Sequence, residues 1–279
     1  GGFNKKVLKP STRRKMALKI NKQNKSIRIN TICEVCSISK STYYYKPKLS
    51  DENAFISDYL LRLTQTHKRW GFKLCYLYLR NVKGYKFNHK RVYRIYRELE
   101  LNLRIKPRKR IKRDKPEALS VPSKINQTWS MDFMSDSLTD GRSIRTFNVV
   151  DDYNREGLNI DVDLSMPARR VIQSLERLTQ WRGKPKAIRC DNGPEYISQA
   201  LRDWAQASDI DIQYIQPGKP TQNAYIERFN RTVRQECLDL HLFDSVEQAQ
   251  NLTTQWLWVY NNERPHFALD GIPPRAKVA

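Results

Sequence analysis

The sequence lacks any long apolar run: nowhere do about 18 apolar residues follow one another. It also lacks an apolar N-terminal stretch followed by a cleavage site, so we expect neither a membrane span nor a signal peptide. Glycine and proline number only 10 and 13 among 279 residues, which excludes collagen-like and low-complexity chains. We therefore predict an intracellular protein of about two globular domains, with no membrane partner.

Cysteine is also scarce, and its five residues are an odd number scattered along the chain. This pattern argues against a disulfide framework and favours a reducing compartment. Cys33 and Cys36 form a C-x-x-C pair, but no second Cys or His pair follows at the spacing of a zinc finger. We favour small apolar helix residues over a zinc site at this pair.

Acidic residues are few in the first part of the chain. Residues 1–120 contain 32 basic and 8 acidic residues, whereas residues 121–279 contain 19 and 21. The whole chain carries a formal charge of +22, which points to a polyanionic partner such as nucleic acid, with a solvated basic surface as the alternative. The first part is suited to phosphate backbones, and the second has enough carboxylates to cluster for chemistry.

Residues 1–50 predict a helix-turn-helix-like segment. Asn30 or Thr31 can cap a short helix that carries Ile32, Val35 and Cys36, and a tight turn then leads into a polar, tyrosine-rich helix. A helix-turn-helix presents its second helix to a DNA groove while the first helix braces it. The candidate DNA contacts in the second helix are Lys40, Tyr43 and Tyr44.

Residues 51–103 predict a helical DNA-binding domain of three helices. The last helix begins after Asn88, a suitable N-cap, and places Val92, Ile95 and Leu99 on one stripe. Four basic residues share a second stripe without an acidic residue among them, so we favour phosphate contact over an ordinary solvated face. These residues are Lys90, Arg91, Arg94 and Arg97.

Residues 104–126 read as a basic linker. Like charges repel and prolines break helices, so this stretch is expected to be extended or disordered until a polyanion neutralises it. A nuclear-localisation signal is a weaker interpretation. The predicted DNA contacts in the linker are Arg108, Lys109, Arg110, Lys112 and Arg113.

Residues 127–279 alternate between strand and helix patterns. We predict strands at 128–135, 143–151, 158–164, 186–189 and 211–215. Helices are predicted at 168–181 and 196–207, and from about residues 223 and 246. Three strands in a meander, then a helix, a strand, a helix and a strand, is the order of a ribonuclease H-like mixed five-stranded sheet with flanking helices. The predicted fold class is therefore α/β, preceded by all-α DNA-binding segments.

Carboxylates in this domain are candidates for metal-dependent phosphoryl transfer. Asp132 lies mid-strand, Asp191 at a strand end and Glu227 in the first turns of a helix, so the three can converge in space. Phosphoryl transfer uses two divalent ions about 3.5 to 4 Å apart, and hard oxygen ligands select Mg²⁺ or Mn²⁺. The residues alone leave rival ligands open, namely Asp136, Asp151 and Asp152.

The helix that carries Glu227 is predicted to be amphipathic. Its apolar stripe contains Ile226, Phe229, Val233 and Cys237. The other face would hold Asn223, Glu227, Asn230 or Arg231, and Arg234, so that donors for DNA phosphates lie beside the carboxylate. The predicted DNA contacts here are Asn223, Arg228, Arg231 and Arg234.

Several linked motifs carry a family resemblance. They are residues 129–133 (WSMDF), 191–196 (DNGPEY), 216–230 (QPGKPTQNAYIERFN) and 261–266 (NNERPH). They resemble the DDE transposases of bacterial insertion sequences, most closely insertion-sequence family three, whose catalytic domain is related to retroviral integrases. The 35 residues between Asp191 and Glu227 are typical of that family. Gln222 departs from the Asp of many relatives.

The resemblance implies that Asp132, Asp191 and Glu227 are catalytic and hold two Mg²⁺ ions, for which Mn²⁺ can substitute. The implied reaction cuts the phosphodiester at the element end and joins the exposed 3′-hydroxyl to target DNA. The implied partners are double-stranded terminal repeats and target DNA, further copies of the chain in a dimer or larger oligomer, and an upstream-frame protein. The implied location is the bacterial cytoplasm, at the nucleoid. A metal-dependent nuclease or resolvase, and a DNA-binding regulator without chemistry, are the alternatives.

Overall fold

The computed structural model describes residues 10–45, 50–103, 122–216 and 223–278. The chain forms two compact units, residues 1–55 and 56–279. The predicted linker contacts at residues 108–113 lie outside the described residues. The domain limits drawn from the sequence stay a prediction. Within the described residues, no helix combines the length and the apolar character needed to cross a bilayer.

The described part of the first unit contains α1 (Pro10–Gln23), α2 (Ile29–Val35), α3 (Lys40–Tyr44) and the start of a fourth helix that continues into the second unit. Ser37, with φ of 51°, lies in the turn between α2 and α3, and the Ser39 hydroxyl caps α3 by accepting from the Thr42 amide. The predicted helix, turn and polar helix are therefore present. The core of this unit is formed by Ala17, Ile32, Cys33 and Tyr43.

Two details predicted for α2 are wrong. The helix begins one turn earlier than expected, with Arg28 at the N-cap, so neither Asn30 nor Thr31 caps it. Val35 was expected on the apolar stripe but is 72% exposed. α2 has only seven residues, or two turns, and the side that carries Ile32 and Cys33 packs in the core with α1 and α3. Val35 does not lie on that side.

The helical segment of the second unit follows the predicted three-part pattern. It contains α4 (Ser50–Thr66), α5 (Phe72–Leu77) with a π-helical turn at Tyr78–Val82, and α6 (His89–Glu98). The Asn88 side chain caps α6 by accepting from the amides of Lys90 and Arg91, as predicted. The aliphatic and aromatic side chains of these helices share one core, which includes Leu60, Trp70 and Ile95.

A five-stranded mixed sheet forms the centre of the second unit. Its strands are β1 (Thr128–Ser137), β2 (Ser143–Asp151), β3 (Gly157–Asp163), β4 (Ala187–Cys190) and β5 (Asp211–Tyr214), in the order β3-β2-β1-β4-β5. β1, β2 and β3 pair antiparallel, while β4 and β5 run parallel to β1. This topology confirms the predicted ribonuclease H-like sheet.

Helices cover both faces of the sheet. Trp129 and Met131 of β1 face the core made with α7 (Ala168–Arg182) and α8 (Gln199–Ala207). Met134 faces the core made with α9 (Ala224–Glu236) and α10 (Val246–Asn262). Since side chains alternate along a strand, Asp132 shares the α9 face with Met134.

The predicted element bounds hold closely, with one clear exception. α8 begins at Gln199, capped by the Ser198 hydroxyl, and not at Tyr196. Tyr196 is instead fully buried, and its ring stacks on Phe133 with 4.8 Å between centroids. The aromatic residue therefore anchors the loop after β4 to β1, which fixes the position of Asp191.

Candidate active site

Asp132 lies near the centre of β1 and is held by two donors. Its Oδ1 accepts from the Phe133 amide at 2.8 Å, and its Oδ2 accepts from Nδ2 of Asn230 on α9 at 2.8 Å. Asn230 Oδ1 in turn accepts from Nδ2 of Asn148, the residue paired with Asp132 across β1 and β2. A buried relay therefore fixes the carboxylate from a strand and a helix at once.

The pKa of Asp132 is affected by burial and by two other acidic side chains. Burial raises the pKa of Asp132 to about 6, and the negative charges of Asp191 and Glu227 add to the rise. Like charges at short range disfavour one another's ionised forms, so the shift reports that the three carboxylates share one electrostatic environment. Asp191 and Glu227 are thus near enough to Asp132 to affect its pKa, but no three His, Cys, Asp or Glu side chains of the described residues are arranged to hold a metal ion.

Asp191 and Glu227 reach this environment from two different elements. Asp191 follows the last residue of β4, and its Oδ1 accepts from the Gly193 amide at 3.0 Å. Glu227 lies in the first turn of α9 with an exposed side chain, and residues 217–222 before this helix lie outside the described ranges. Within the described ranges, no Lys, Arg or His side chain forms a salt bridge with Asp132, Asp191 or Glu227.

The rival carboxylates are engaged elsewhere. Asp136 accepts from Arg234 at 2.6 Å, and Asp152 pairs with Arg189 at 3.0 Å. Asp151 accepts from the backbone amides of Asn126 and Tyr153 at 2.8 and 2.9 Å. Asp136 and Asp152 are therefore paired with arginines, whereas Asp151, like Asp132 and Asp191, accepts from amide donors and forms no salt bridge in the described residues.

Family models and relatives match most of the chain. Two models of the integrase core domain match residues 122–220 and 208–274. The 31.7 kDa protein of insertion element IS407 from Burkholderia multivorans is 38% identical over 242 residues, covering 87% of each chain. The 39.2 kDa protein of insertion element IS476 from Xanthomonas euvesicatoria is 37% identical over 278 residues, covering 98% of this chain and 79% of that one.

The chain belongs to insertion-sequence family three of the DDE transposases. A more distant relative is InsK, the transposase assigned to insertion sequence IS150 of Escherichia coli K12. It is 22% identical over 263 residues, covering 88% of this chain and 92% of InsK. As a transposase, the protein is a polynucleotidyl transferase that acts in DNA transposition and integration, which confirms the enzyme class expected from the motifs.

The C-terminal motif of the transposase has a structural role. Asn261 of α10 pairs with both backbone groups of Gly157: its Nδ2 donates to the Gly157 carbonyl at 2.7 Å, and its Oδ1 accepts from the amide at 2.9 Å. The side chain of a helix residue thus substitutes for a neighbouring strand at the edge of β3. Gly157 is required here, since an added Cβ would lie 2.5 Å from Leu257 and 2.7 Å from Phe229.

The predicted DNA contacts in the transposase fall into different environments. Lys40 and Tyr44 are exposed on α3, and Tyr44 is 61% exposed. Tyr43 was expected to contact DNA, but it is 5% exposed and belongs to the core of the first unit. Successive residues of a helix point about 100° apart, so when Tyr43 packs on the core, Tyr44 lies on the outer side of α3.

The basic face of α6 is present as predicted. Lys90, Arg94 and Arg97 are exposed, and Arg91 is half-buried. Arg94 makes one long ion pair, 3.9 Å, with Glu98 in the last turn of the helix. The face therefore remains cationic and open toward solvent.

The basic residues of α9 divide between the surface and the interior. Arg228 and Arg231 are exposed. Arg234 donates to Asp136 and to the Ser135 carbonyl, so it ties α9 to β1. Asn223 is 4% exposed and does not present its amide to solvent, contrary to prediction.

Sequence reasoning missed the residues that support Asp132. Asn230 was placed on the outer face of α9 as an alternative to Arg231, yet it is 8% exposed and faces β1. No sequence motif marks Asn148, which is fully buried in a strand otherwise rich in apolar residues. A buried amide in such a strand is the signal that could have revealed it, because buried polar groups need partners.

Proposed function

We propose that Asp132, Asp191 and Glu227 are the catalytic carboxylates of this transposase and that they hold divalent metal. The observation that carries the proposal is the hydrogen bond from Asn230 to Asp132, which ties the helix that carries Glu227 to the strand that carries Asp132. Carboxylates with no cationic side-chain partner in the described ranges create an excess of negative charge. Such a set of hard oxygen donors fits Mg²⁺, with Mn²⁺ as its substitute.

The number and the coordination of the ions belong to the proposal. In the described residues, no group of three His, Cys, Asp or Glu side chains is already arranged to hold a metal ion. Glu227 is exposed and forms no ion pair there, so a change of its rotamer can bring its oxygens toward Asp132 and Asp191. We propose two ions, because in-line displacement at phosphorus uses one to activate the attacking oxygen and one to stabilise the leaving oxygen.

The chain's own residues orient the reaction. Asn230 and the Phe133 amide direct the two oxygens of Asp132, and the Gly193 amide directs Asp191. Water attacks the phosphodiester at the element end and releases a 3′-hydroxyl and a 5′-phosphate. The 3′-hydroxyl oxygen then attacks phosphorus in the target strand and expels the target 3′-oxygen, so one phosphodiester replaces another without a covalent protein intermediate.

DNA contact is proposed for the exposed basic faces. The exposed cations of α6, Lys90, Arg94 and Arg97, outnumber the single acid near them, Glu98, so the face suits a phosphate backbone. Arg228 and Arg231 are exposed on the helix that carries Glu227, where they can hold DNA beside the carboxylates. Lys40 and Tyr44 of the first unit, and the basic run at residues 108–113, are proposed as further, separate contacts with double-stranded terminal repeats and target DNA.

The assembly and setting follow from the reaction. Two element ends have to be held together for joining, so we propose a dimer or larger oligomer on DNA. A protein from an upstream frame is proposed as a further partner. Because the substrate is the chromosome and the relatives come from bacteria, the proposed location is the bacterial cytoplasm, at the nucleoid.

The decisive experiment measures cleavage and strand transfer with the purified chain, Mg²⁺, duplexes carrying the ends of its own element, and plasmid target. Asp132→Asn, Asp191→Asn and Glu227→Gln should each retain DNA binding and lose both cleavage and joining. Asp203→Asn is the matched control, since this exposed acid lies on α8 and accepts from Gln199 of the same helix. It should keep both activities.

The same assay separates the alternatives. A nuclease would cut the element end without joining its 3′-hydroxyl to target DNA. A regulator without chemistry would be indifferent to Glu227→Gln. If Asp203→Asn abolished activity while Glu227→Gln did not, the assignment of the three carboxylates would be wrong.

A further inference from the structure

The helical segment contacts the far end of the catalytic helix through one carboxylate. Nε1 of Trp70, between α4 and α5, donates to Oε2 of Glu236 at 3.2 Å. Glu236 is the last residue of α9, whose first turn carries Glu227. The helical segment and the proposed catalytic carboxylate are therefore linked through a single rigid element.

Glu236 is held from the other side by Arg264 of the C-terminal motif. The guanidinium donates to both carboxylate oxygens, from Nε at 2.8 Å and from Nη2 at 2.6 Å. Only 14% of the Arg264 side chain and 12% of the Glu236 side chain are exposed. A bidentate, mostly buried ion pair has a defined geometry, so the Arg264–Glu236 pair fixes the position of the C-terminal end of α9.

Trp70 is itself held in one orientation. It is 2% exposed, and its ring stacks on His67 with 4.0 Å between centroids. Its edge meets the ring of Tyr78, at 5.6 Å, in the π-helical turn after α5. The indole therefore has a fixed orientation between the core of the helical segment and the Glu236 carboxylate.

α9 is fixed along its length by contacts at three positions. Asn230 holds it to Asp132, Arg234 holds it to Asp136, and Glu236 joins it to Trp70 and Arg264. The first two contacts come from the sheet, whereas the third brings in the helical segment. A small shift of the helix end would be transmitted to Glu227, because a helix moves as one body.

We propose that Trp70 and Glu236 are positioning residues for the reaction: they transmit the placement of the helical segment to α9 and so set the position of Glu227. This inference rests on the proposed function, because it takes Glu227 as catalytic and the helical segment as DNA-binding. It adds that the DNA-binding helices take part in forming the active site and do more than bring DNA to it.

A second contact of the same segment supplies a matched control. Asn81 Nδ2 donates to the Gly271 carbonyl at 2.9 Å and to the Asp270 carbonyl at 3.3 Å. This contact joins the helical segment to the C-terminal loop and does not involve α9. Asn81→Ala therefore weakens the docking of the segment without touching the Trp70 connection.

The test uses the full chain in single-turnover cleavage, with protein in excess over duplexes that carry the ends of its own element, in Mg²⁺. Trp70→Phe keeps an aromatic ring but removes the N–H donor and part of the buried indole, so its melting temperature should fall and the assay is run well below it. The maximal rate constant should fall ~10- to 100-fold, while the protein concentration at half-saturation stays near wild type. Asn81→Ala should leave the maximal rate constant within about twofold of wild type.

Glu236→Gln is the second variant, since it keeps an acceptor for Trp70 but loses the charge that holds Arg264. Its rate should fall, and the double variant with Trp70→Phe should lose less than the product of the two single effects. The inference is overturned if Trp70→Phe reacts like wild type, if Asn81→Ala loses as much, or if the loss lies only in half-saturation. Wild-type protein that neither cuts nor joins would instead refute the proposed function on which the inference rests.

Discussion

The side-chain amide of Asn230 donates to Oδ2 of Asp132 at 2.8 Å, from α9 to β1. The other end of the same amide accepts from Asn148, so a single side chain links the catalytic helix to two strands. The motif at residues 216–230 ends with Asn230, but no motif includes its partner Asn148.

Replacement of Asn230 by Ala should cost stability as well as activity. The change leaves the buried Nδ2 of Asn148 without its acceptor, so the free energy of unfolding in urea should fall by about 1 to 3 kcal/mol. Strand transfer should fall with it, because one oxygen of Asp132 is no longer directed. Gln235→Ala, an exposed position of the same helix, should change stability by about 0.5 kcal/mol or less. Equal effects of the two substitutions would contradict the relay.

The stability of the metal-free protein should depend on pH through Asp132. Burial raises the pKa of Asp132 to about 6 from an ordinary value of 3.8, so the folded state keeps its proton at a pH where the unfolded chain has lost it. This contribution is fully present below about pH 4 and is lost as the pH rises through about 6. It amounts to on the order of 3 kcal/mol.

Asp132→Asn supplies the comparison for this pH dependence, since the amide resembles the protonated acid. In the presence of a chelator, the variant should match wild type near pH 4 and become the more stable protein above about pH 6. Added Mg²⁺ should then stabilise wild type and leave the variant unchanged. A difference between the two proteins that stays constant with pH would refute the assigned environment.

Gly157→Ala should destabilise the second unit by overpacking. The new Cβ would lie 2.5 Å from Leu257 and 2.7 Å from the Phe229 ring, so α9 or α10 has to shift. We expect a loss of about 1 to 3 kcal/mol in urea unfolding. Adding Leu257→Ala removes the nearest clash, so the double variant should lose less than the sum of the single losses. Simple additivity would mean that the close approach is not what requires glycine.

Two neighbouring tyrosines in α3 should behave oppositely. Tyr43→Ala removes a core ring of the first unit and should cost about 3 kcal/mol, seen as faster hydrogen exchange throughout α1 to α3. Tyr44→Ala should leave exchange unchanged and weaken binding to element-end duplexes, because that ring is exposed on the proposed DNA face. The reverse pattern would restore the original assignment of Tyr43 as a DNA contact.

The basic face of α6 should appear in the salt dependence of DNA binding. Lys90→Ala, Arg94→Ala and Arg97→Ala should each reduce the slope of log affinity against log salt by about 1, since each phosphate contact releases counterions. Arg62→Ala is the control, because this exposed arginine of α4 pairs with Asp58. An unchanged slope in all three α6 variants would exclude this face from the interface.

The sequence by itself determined the local structure and the composition of the candidate site. Alternation fixed which side of β1 carries Asp132, and the cap at Asn88 fixed the start of α6, since both depend only on neighbours along the chain. The family motifs singled out Asp132, Asp191 and Glu227 among many acids.

Only the tertiary structure decided which side chains are paired with other residues of the protein or buried in its core. Asp136 and Arg234 looked like a free ligand and a free DNA contact, yet they pair with each other across 98 positions of sequence. Tyr43 and Tyr44 have the same chemistry, and packing against α1 and α2 alone separates them. The physical reason is that the period of a helix or strand fixes the face on which a residue lies, whereas its partners come from remote elements whose register is set when the core packs.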